Sequence, residues 1–189
     1  MKRSSAIAAL LAFAMGGGLS AFALLAPSPP VPNAGPSDRP VWTEVKWPFP
    51  TDEWGEGKAF RCGADTCGTE ISVYIRAKIG FCNCTTGVSD DDELDRLSDY
   101  RLMGDKPSVL GRGHPIKVAW MDGRSRSYAV DKAGNSTHSA LAIAFNDHCD
   151  AVVATAVIAQ DRPAAAEPLV AAFLNSQTIV RWTKTTLGL

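Results

Sequence analysis

Residues 70–79 read EISVYIRAKI, and this stretch holds the clearest strand signal in the chain. Its odd-numbered positions are apolar and mostly β-branched, whereas Ser72, Tyr74, Arg76 and Lys78 occupy even-numbered positions. Successive side chains of a strand point to opposite faces, so this period of two predicts a β-strand with one buried face and one solvent-exposed face. The sheet is predicted around this strand.

Two hairpins are predicted beside it. Residues 58–62 are its predicted partner, and the chain turns between them through Gly63-Ala64-Asp65. Residues 116–120 alternate in a further strand, and the Asp-Gly pair within Met121-Asp122-Gly123-Arg124 predicts the turn before residues 125–130 run back. Both connections are short, so both predict antiparallel pairing.

Two more strands have a different pattern. Residues 139–145 and 151–159 are apolar at consecutive positions, which is typical of central strands that are buried on both faces. Residues 146–150 are predicted to join them as a loop. Two neighbouring strands with so short a connection again favour an antiparallel sheet.

Two helices are predicted. Ser89 precedes four acidic residues, 90–93, and a serine cap with acids in the first turn predicts a helix that begins there and ends before Gly104. Residues 164–175 form the second predicted helix, and residues 178–182 form a last short strand or a docking tail. The fold class is therefore α+β, with a mostly antiparallel sheet and two helices.

Residues 1–26 predict export. Lys2 and Arg3 precede an apolar run over residues 6–26, and Ala21-Phe22-Ala23 provides the small residues that a signal peptidase requires. The run is also long enough to remain as an N-terminal transmembrane anchor. A signal peptide and an uncleaved anchor both stay open, and only residues 6–26 would contact a membrane. In either case the rest of the chain is periplasmic or otherwise extracytoplasmic, secreted or tethered to the inner membrane.

The remaining length holds one domain. Residues 27–50 are rich in proline and predict a semi-rigid linker, so residues 51–189 are assigned to a single globular α+β domain. The net charge of −1 gives no electrostatic support for nucleic-acid binding. Aromatic side chains are concentrated in residues 41–60, where they either pack into the domain or form a surface for a partner or a glycan.

Five cysteines in an exported chain predict disulfides. Cys62 and Cys67 flank the first predicted turn, within disulfide range of one another. Cys149 is expected to pair with Cys84, or alternatively with Cys82. Five is an odd number, and Cys82 is the predicted free thiol.

A zinc site and redox catalysis are two other uses of cysteines. A zinc site is disfavoured, because C-x4-C followed by C-x-C departs from the usual C-x2-C spacing. A redox role is the stronger alternative, since Cys82 and Cys84 would share one strand face and either could resolve a disulfide formed by the other. No C-x-x-C opens a helix, which is where a lowered thiol pKa usually arises.

No catalytic, metal or cofactor site is predicted. His148-Cys149-Asp150 places three catalytic residue types in a row, but adjacent side chains rarely face one another. Asp91 and Asp95 could share a helix face and weakly hold a cation, although a solvated helix start explains the same residues. The excess of basic residues over 101–132 is expected to pair with this acidic helix.

Two segments resemble known sequences. Residues 62–70, CGADTCGTE, and residues 81–97, FCNCTTGVSDDDELDRL, resemble segments of uncharacterised exported bacterial proteins. This resemblance implies export and no particular activity.

Three functions follow as hypotheses. The first is an exported, non-catalytic envelope protein that binds a ligand or supports a complex with an unknown envelope partner. The second is a thiol–disulfide redox protein that uses Cys82, Cys84 or Cys149. The third is a hydrolase with an unrecognised site, so the sequence leaves open whether the protein is an enzyme.

Overall fold

The computed structural model describes residues 39–104, 106–130 and 138–189. The described residues form one sheet of eight strands and five helices. The strands are β1 (Trp42–Val45), β2 (Lys58–Cys62), β3 (Ile71–Lys78), β4 (Pro107–Val109), β5 (His114–Val118), β6 (Met121–Val130), β7 (His138–Asp147) and β8 (Asp150–Ile158). The helices are α1 (Ala64–Cys67), α2 (Asp91–Leu97), α3 (Tyr100–Met103), α4 (Pro163–Leu174) and α5 (Gln177–Leu187). The predicted signal or anchor and the first part of the predicted linker lie outside the described residues.

Every pair of neighbouring strands is antiparallel, which confirms the predicted sheet type. The strand order is β1-β2-β3-β8-β7-β6-β4, and β5 pairs with the first half of β6. The strand predicted over residues 70–79 is β3, between β2 and β8. Strand β1 lies within the stretch 27–50, so the sheet extends into the C-terminal part of the predicted linker.

The sheet is covered on both faces, which explains why the central strands are apolar at consecutive positions. Helices α4 and α5 pack on one face, where the odd-numbered residues of β7 from Leu141 to Phe145 enter the main core. Helices α2 and α3 pack on the other face against the small even-numbered residues Ala140, Ala142 and Ala144. Alternate side chains of one strand thus enter two separate cores.

The prediction of two helices was wrong, because the described residues contain five. Residues 178–182 belong to α5 and form neither a strand nor an irregular tail. The β-branched residues of this segment favour a strand locally, but Ile179 and Thr183, one helical turn apart, are both buried. Packing of this helical face overrides the local preference, and the side chain of Ser176 caps the helix by accepting from the Ile179 N–H.

Two predicted turns also differ. The chain joins β2 to β3 through the short helix α1 and not through a tight turn. The β5–β6 turn lies at Ala119-Trp120, where Ala119 has a φ of 53°, and Asp122-Gly123 lies inside β6. Gly123 is needed for close packing, because a Cβ there would collide with the carbonyl oxygen of Ala144.

No helix among the residues that the structure describes is long and apolar enough to cross a membrane.

The acidic helix begins one residue later than predicted. Asp90 is the N-cap of α2, and its side chain accepts a hydrogen bond of 2.8 Å from the backbone N–H of Glu93. Ser89 therefore precedes the cap. Helix α2 ends at Leu97, and Tyr100–Met103 form the separate helix α3 before Gly104.

This cap gives a direct test. We expect Asp90→Ala to lower the free energy of unfolding by about 1 kcal/mol, because the Glu93 N–H loses its acceptor. Ser89→Ala, the matched control, should change it by less than about 0.5 kcal/mol. Urea denaturation of both variants measures the difference. A larger loss for Ser89→Ala than for Asp90→Ala would contradict this helix start.

Candidate functional site

Strand β3 carries two buried cations, so the prediction of a solvent-exposed face was wrong at these positions. The side chains of Arg76 and Lys78 are only 7% and 5% exposed. Residues 49–54 and the junction of α2 with α3 line a cavity over them. Buried cations are tolerated only where carboxylates and other acceptors surround them, and the structure supplies both.

Arg76 is held by two carboxylates. Its Nε and Nη2 donate to the two oxygens of Asp99 at 2.6 and 2.7 Å, which is the bidentate geometry of a guanidinium with a carboxylate. Its Nη1 donates to Asp52 at 2.7 Å. Burial opposes the charged form of Arg76, but the bonds to Asp99 and Asp52 raise its pKa above the ordinary value. The hydrogen bond from Arg76 lowers the pKa of Asp52.

Lys78 lies at the C-terminal end of α2. Its Nζ donates to the carbonyl oxygen of Leu97 at 2.7 Å and lies 2.9 Å from Asp99. A cation at this end of a helix satisfies an orphan carbonyl and complements the helix dipole. The same Nζ lies 5.1 Å from the centre of the Trp54 ring. Asp52, Arg76, Lys78 and Asp99 are called the ion-pair cluster below.

A cavity of about 630 Å³ opens above the ion-pair cluster. It is lined by residues 49–54 on one side, by residues 98–102 on the other, and by Arg76 and Lys78. Small-molecule sites occupy about 300–1,000 Å³ and combine apolar rings with a few fixed polar groups. The volume of this cavity falls within that range, and its lining combines three aromatic rings with six charged side chains.

The aromatic residues of 41–60 divide between packing and the cavity. Trp47 and Phe60 are buried, and Trp42 stacks on Phe173 of α4 with ring centres 4.3 Å apart. Phe49 and Trp54 are half-buried and line the cavity. Most of these aromatic side chains therefore pack within the domain, and Phe49 and Trp54 line the cavity.

The cysteines form the predicted kind of cross-link. Disulfides join Cys62 to Cys67 and Cys84 to Cys149, and Cys82 is a buried free thiol. The first closes a span of 5 residues across α1, and the second joins the segment after β3 to the β7–β8 turn across 65 residues.

Cys82 lies beside the second disulfide. Its backbone N–H donates to the carbonyl oxygen of Cys149 at 3.1 Å, and its thiol lies 3.1 Å from the carbonyl oxygen of His148. Burial raises the pKa of this thiol, and the carboxylates of Glu93 and Asp150 raise it further. Because the thiolate is the nucleophile, this environment suppresses thiol exchange.

The histidines do not join the cysteines in a catalytic arrangement. His148 is in the two-residue β7–β8 turn with a φ of 52°, and its Nδ1 pairs with the neighbouring Asp147. Nε2 of His114 lies 3.0 Å from Glu167 of α4. Within the described ranges, no group of three or more histidine, cysteine or acidic residues could hold a metal ion.

The acidic helix pairs with basic residues of β6. Asp91 accepts from Nε of Arg124 and from the backbone N–H of Gly113. Asp95 accepts from Arg126 at 2.8 Å and from the hydroxyl of Tyr128 at 2.6 Å. Both carboxylates are thus engaged by the sheet, which replaces the weak cation site that their spacing allowed.

No protein-family model matches this chain, and no curated protein matches its sequence.

The ion-pair cluster was not predicted from the sequence. Its local signal was weak, because Arg76 and Lys78 fall where an alternating strand places solvent-exposed residues. One sequence signal pointed to the cluster. A strand that pairs with the apolar central strands is covered by the fold, and a cation on a covered strand face requires a carboxylate partner. Asp52 and Asp99 are 24 and 23 residues from Arg76, so only the folded chain reveals the pairing.

Low pH should reduce the free energy of unfolding, because protonation of Asp52 weakens its contact with Arg76. A carboxyl with a lowered pKa contributes stability in full above its unfolded pKa of about 4, and that contribution is lost as the pH falls through the folded pKa. We therefore expect Asp52→Asn to destabilise the protein at pH 7 but to reduce the further loss of stability below about pH 4.

Urea midpoints measured from pH 7 to pH 3 test this expectation. Asp161→Asn, at an exposed carboxyl that follows β8, is the control and should leave the pH profile unchanged. Equal acid sensitivity in wild type and Asp52→Asn would contradict the role of the Arg76 contact.

Proposed function

We propose that the protein is an exported envelope protein whose globular part is a non-catalytic binding domain stabilised by disulfides. The two cysteine pairs support an oxidising, extracytoplasmic location. The predicted signal or anchor over residues 1–26 is part of this proposal, as is contact with an envelope ligand or partner.

The state of the cysteines argues against redox catalysis in this proposal. Four cysteines are consumed by cross-links, and the remaining thiol of Cys82 is buried with a raised pKa. A redox enzyme needs an accessible thiol of lowered pKa. The environment of Cys82 has the opposite properties.

The cavity above the ion-pair cluster carries the binding part. Its aromatic lining is held by contacts within the protein: Trp54 packs edge-on against Phe81 with centres 4.7 Å apart, and Phe49 packs against Tyr74 at 4.8 Å. A cavity that is formed before the ligand arrives avoids part of the ordering cost of binding.

One observation favours a thiol–disulfide redox protein as the second candidate. The backbone N–H of Cys82 donates to the carbonyl oxygen of Cys149, and its thiol lies 3.1 Å from the carbonyl oxygen of His148, the residue before Cys149. Attack of the Cys82 thiolate on the Cys149 sulfur would form a Cys82–Cys149 bond and release the Cys84 thiolate. The raised pKa of Cys82 disfavours this step at neutral pH.

Alkylation of the exported protein distinguishes the two candidates. We expect Cys82 to react slowly with iodoacetamide in the folded protein and quickly after denaturation, since the fold buries the thiol. Mass spectrometry with and without reduction should find the other four cysteines as two disulfides.

The free energies of unfolding of three cysteine variants provide a second test. Cys149→Ser should cost about 4 kcal/mol and Cys67→Ser about 2 kcal/mol, because the bonds close spans of 65 and 5 residues. Cys82→Ser should cost no more than about 1 kcal/mol. Fast alkylation of Cys82, or a partner protein trapped as a mixed disulfide on Cys84→Ser, would favour the redox candidate instead.

A further inference from the structure

We propose that the cavity lined by residues 49–54 and 98–102 binds a neutral saccharide. This inference rests on the proposed function as a binding domain and names the class of its ligand. Three properties of the cavity support it: the balance of its buried charges, the position of its aromatic rings, and the acceptor that Asp52 presents.

The balance of the buried charges disfavours a charged ligand. The ion-pair cluster contains two cations and two carboxylates, and each cation already donates to protein acceptors at 2.6–2.9 Å. A phosphate or carboxylate ligand would bring a further negative charge close to the carboxylates of Asp52 and Asp99, which already balance the two cations. The exposed residues of the lining add one residue of each sign, Glu53 and Arg101. The cavity therefore favours a ligand without net charge.

The aromatic lining favours a ligand whose ring presents polarised C–H groups on one face. Phe49 and Trp54 line one side of the cavity, and Tyr100 lines the other. The face of an aromatic ring is electronegative, so it attracts the electropositive C–H face of a sugar ring while that face leaves water. The Trp54 backbone N–H donates to Asp52 at 2.9 Å, and this bond holds Trp54 next to the ion-pair cluster.

Asp52 supplies a hydrogen-bond acceptor for sugar hydroxyls. Its side chain is 31% exposed, whereas that of Asp99 is 6% exposed. A carboxylate has about four acceptor positions. In Asp52, Arg76 Nη1 donates to both oxygens and the Trp54 N–H donates to one of them. The exposed part of the carboxylate has room for another donor. A ligand with hydroxyl groups around an apolar ring face matches both this acceptor and the aromatic lining.

Binding can be mapped by NMR on the exported wild-type protein. The chain has five tryptophans, each with one indole N–H signal, and the probes are cellotriose, maltotriose and chitotriose. We expect at least one of them to shift the Trp54 indole signal and the amides of residues 98–102. The indole signal of Trp120, which lies on the β5–β6 turn outside the cavity lining, should stay in place. Trigalacturonic acid, an acidic trisaccharide, should bind about tenfold more weakly.

Substitutions at Trp54 then test whether its aromatic ring contributes to saccharide binding. Trp54→Ala should weaken binding by about tenfold or more, as expected for an aromatic side chain in direct contact with the ligand, and Trp54→Phe should recover part of the affinity. Trp120→Ala is the control and should bind as wild type does. If Trp54→Ala does not fold, mapping on the wild-type protein still decides the question.

The inference is overturned if none of the three neutral trisaccharides, each at a concentration of about 10 mM, shifts the Trp54 indole signal. A dissociation constant well above that concentration would mean very weak binding. The inference is also overturned if the acidic trisaccharide binds more tightly, or if Trp54→Ala and Trp120→Ala bind equally well. These failures are separate from failure of the proposed function as a domain without redox activity, which the reactivity of Cys82 tests.

Discussion

The buried ion pair between Arg76 and Asp99 is the contact on which one face of this protein depends. Arg76 lies on β3, Asp99 lies between α2 and α3, and the same guanidinium also binds Asp52 in the segment after β1. One side chain thus holds two separate stretches of chain to the sheet. A buried charge is costly without its partners, so these stretches must keep their positions for Arg76 to remain satisfied.

The second disulfide supports the same region. The Cys84–Cys149 bond fixes the segment after β3, where Phe81 packs against Trp54. Arg96 of α2 lies over the Phe81 ring at 4.7 Å and donates to the Phe81 carbonyl oxygen. The cross-link therefore reaches the aromatic lining of the cavity through one ring. In the binding domain that we propose, this cross-link would help to hold the cavity in shape before a ligand enters.

The sequence predicted the parts of the fold that depend on local pattern. Alternation revealed β3, consecutive apolar residues revealed β7 and β8, and the spacing of Cys62 and Cys67 revealed a short-range disulfide. Prediction failed where tertiary contacts reverse the local preference. Helix α5 is rich in β-branched residues but packs through a helical face, and Arg76 sits on a strand face that the fold covers. The candidate site could not be predicted because its charged partners are distant in sequence.

Native-state hydrogen exchange on Arg76→Met tests this account most directly. The amide of Gly55 donates to the carbonyl of Asp52, and the amide of Leu102 donates to the carbonyl of Asp99, so each reports on one stretch held by Arg76. Loss of a buried ion partner predicts that both amides exchange faster by about a hundredfold or more, beyond any change at Ile143 in the centre of β7. Unchanged exchange at both amides, or acceleration no greater than at Ile143, would contradict the account.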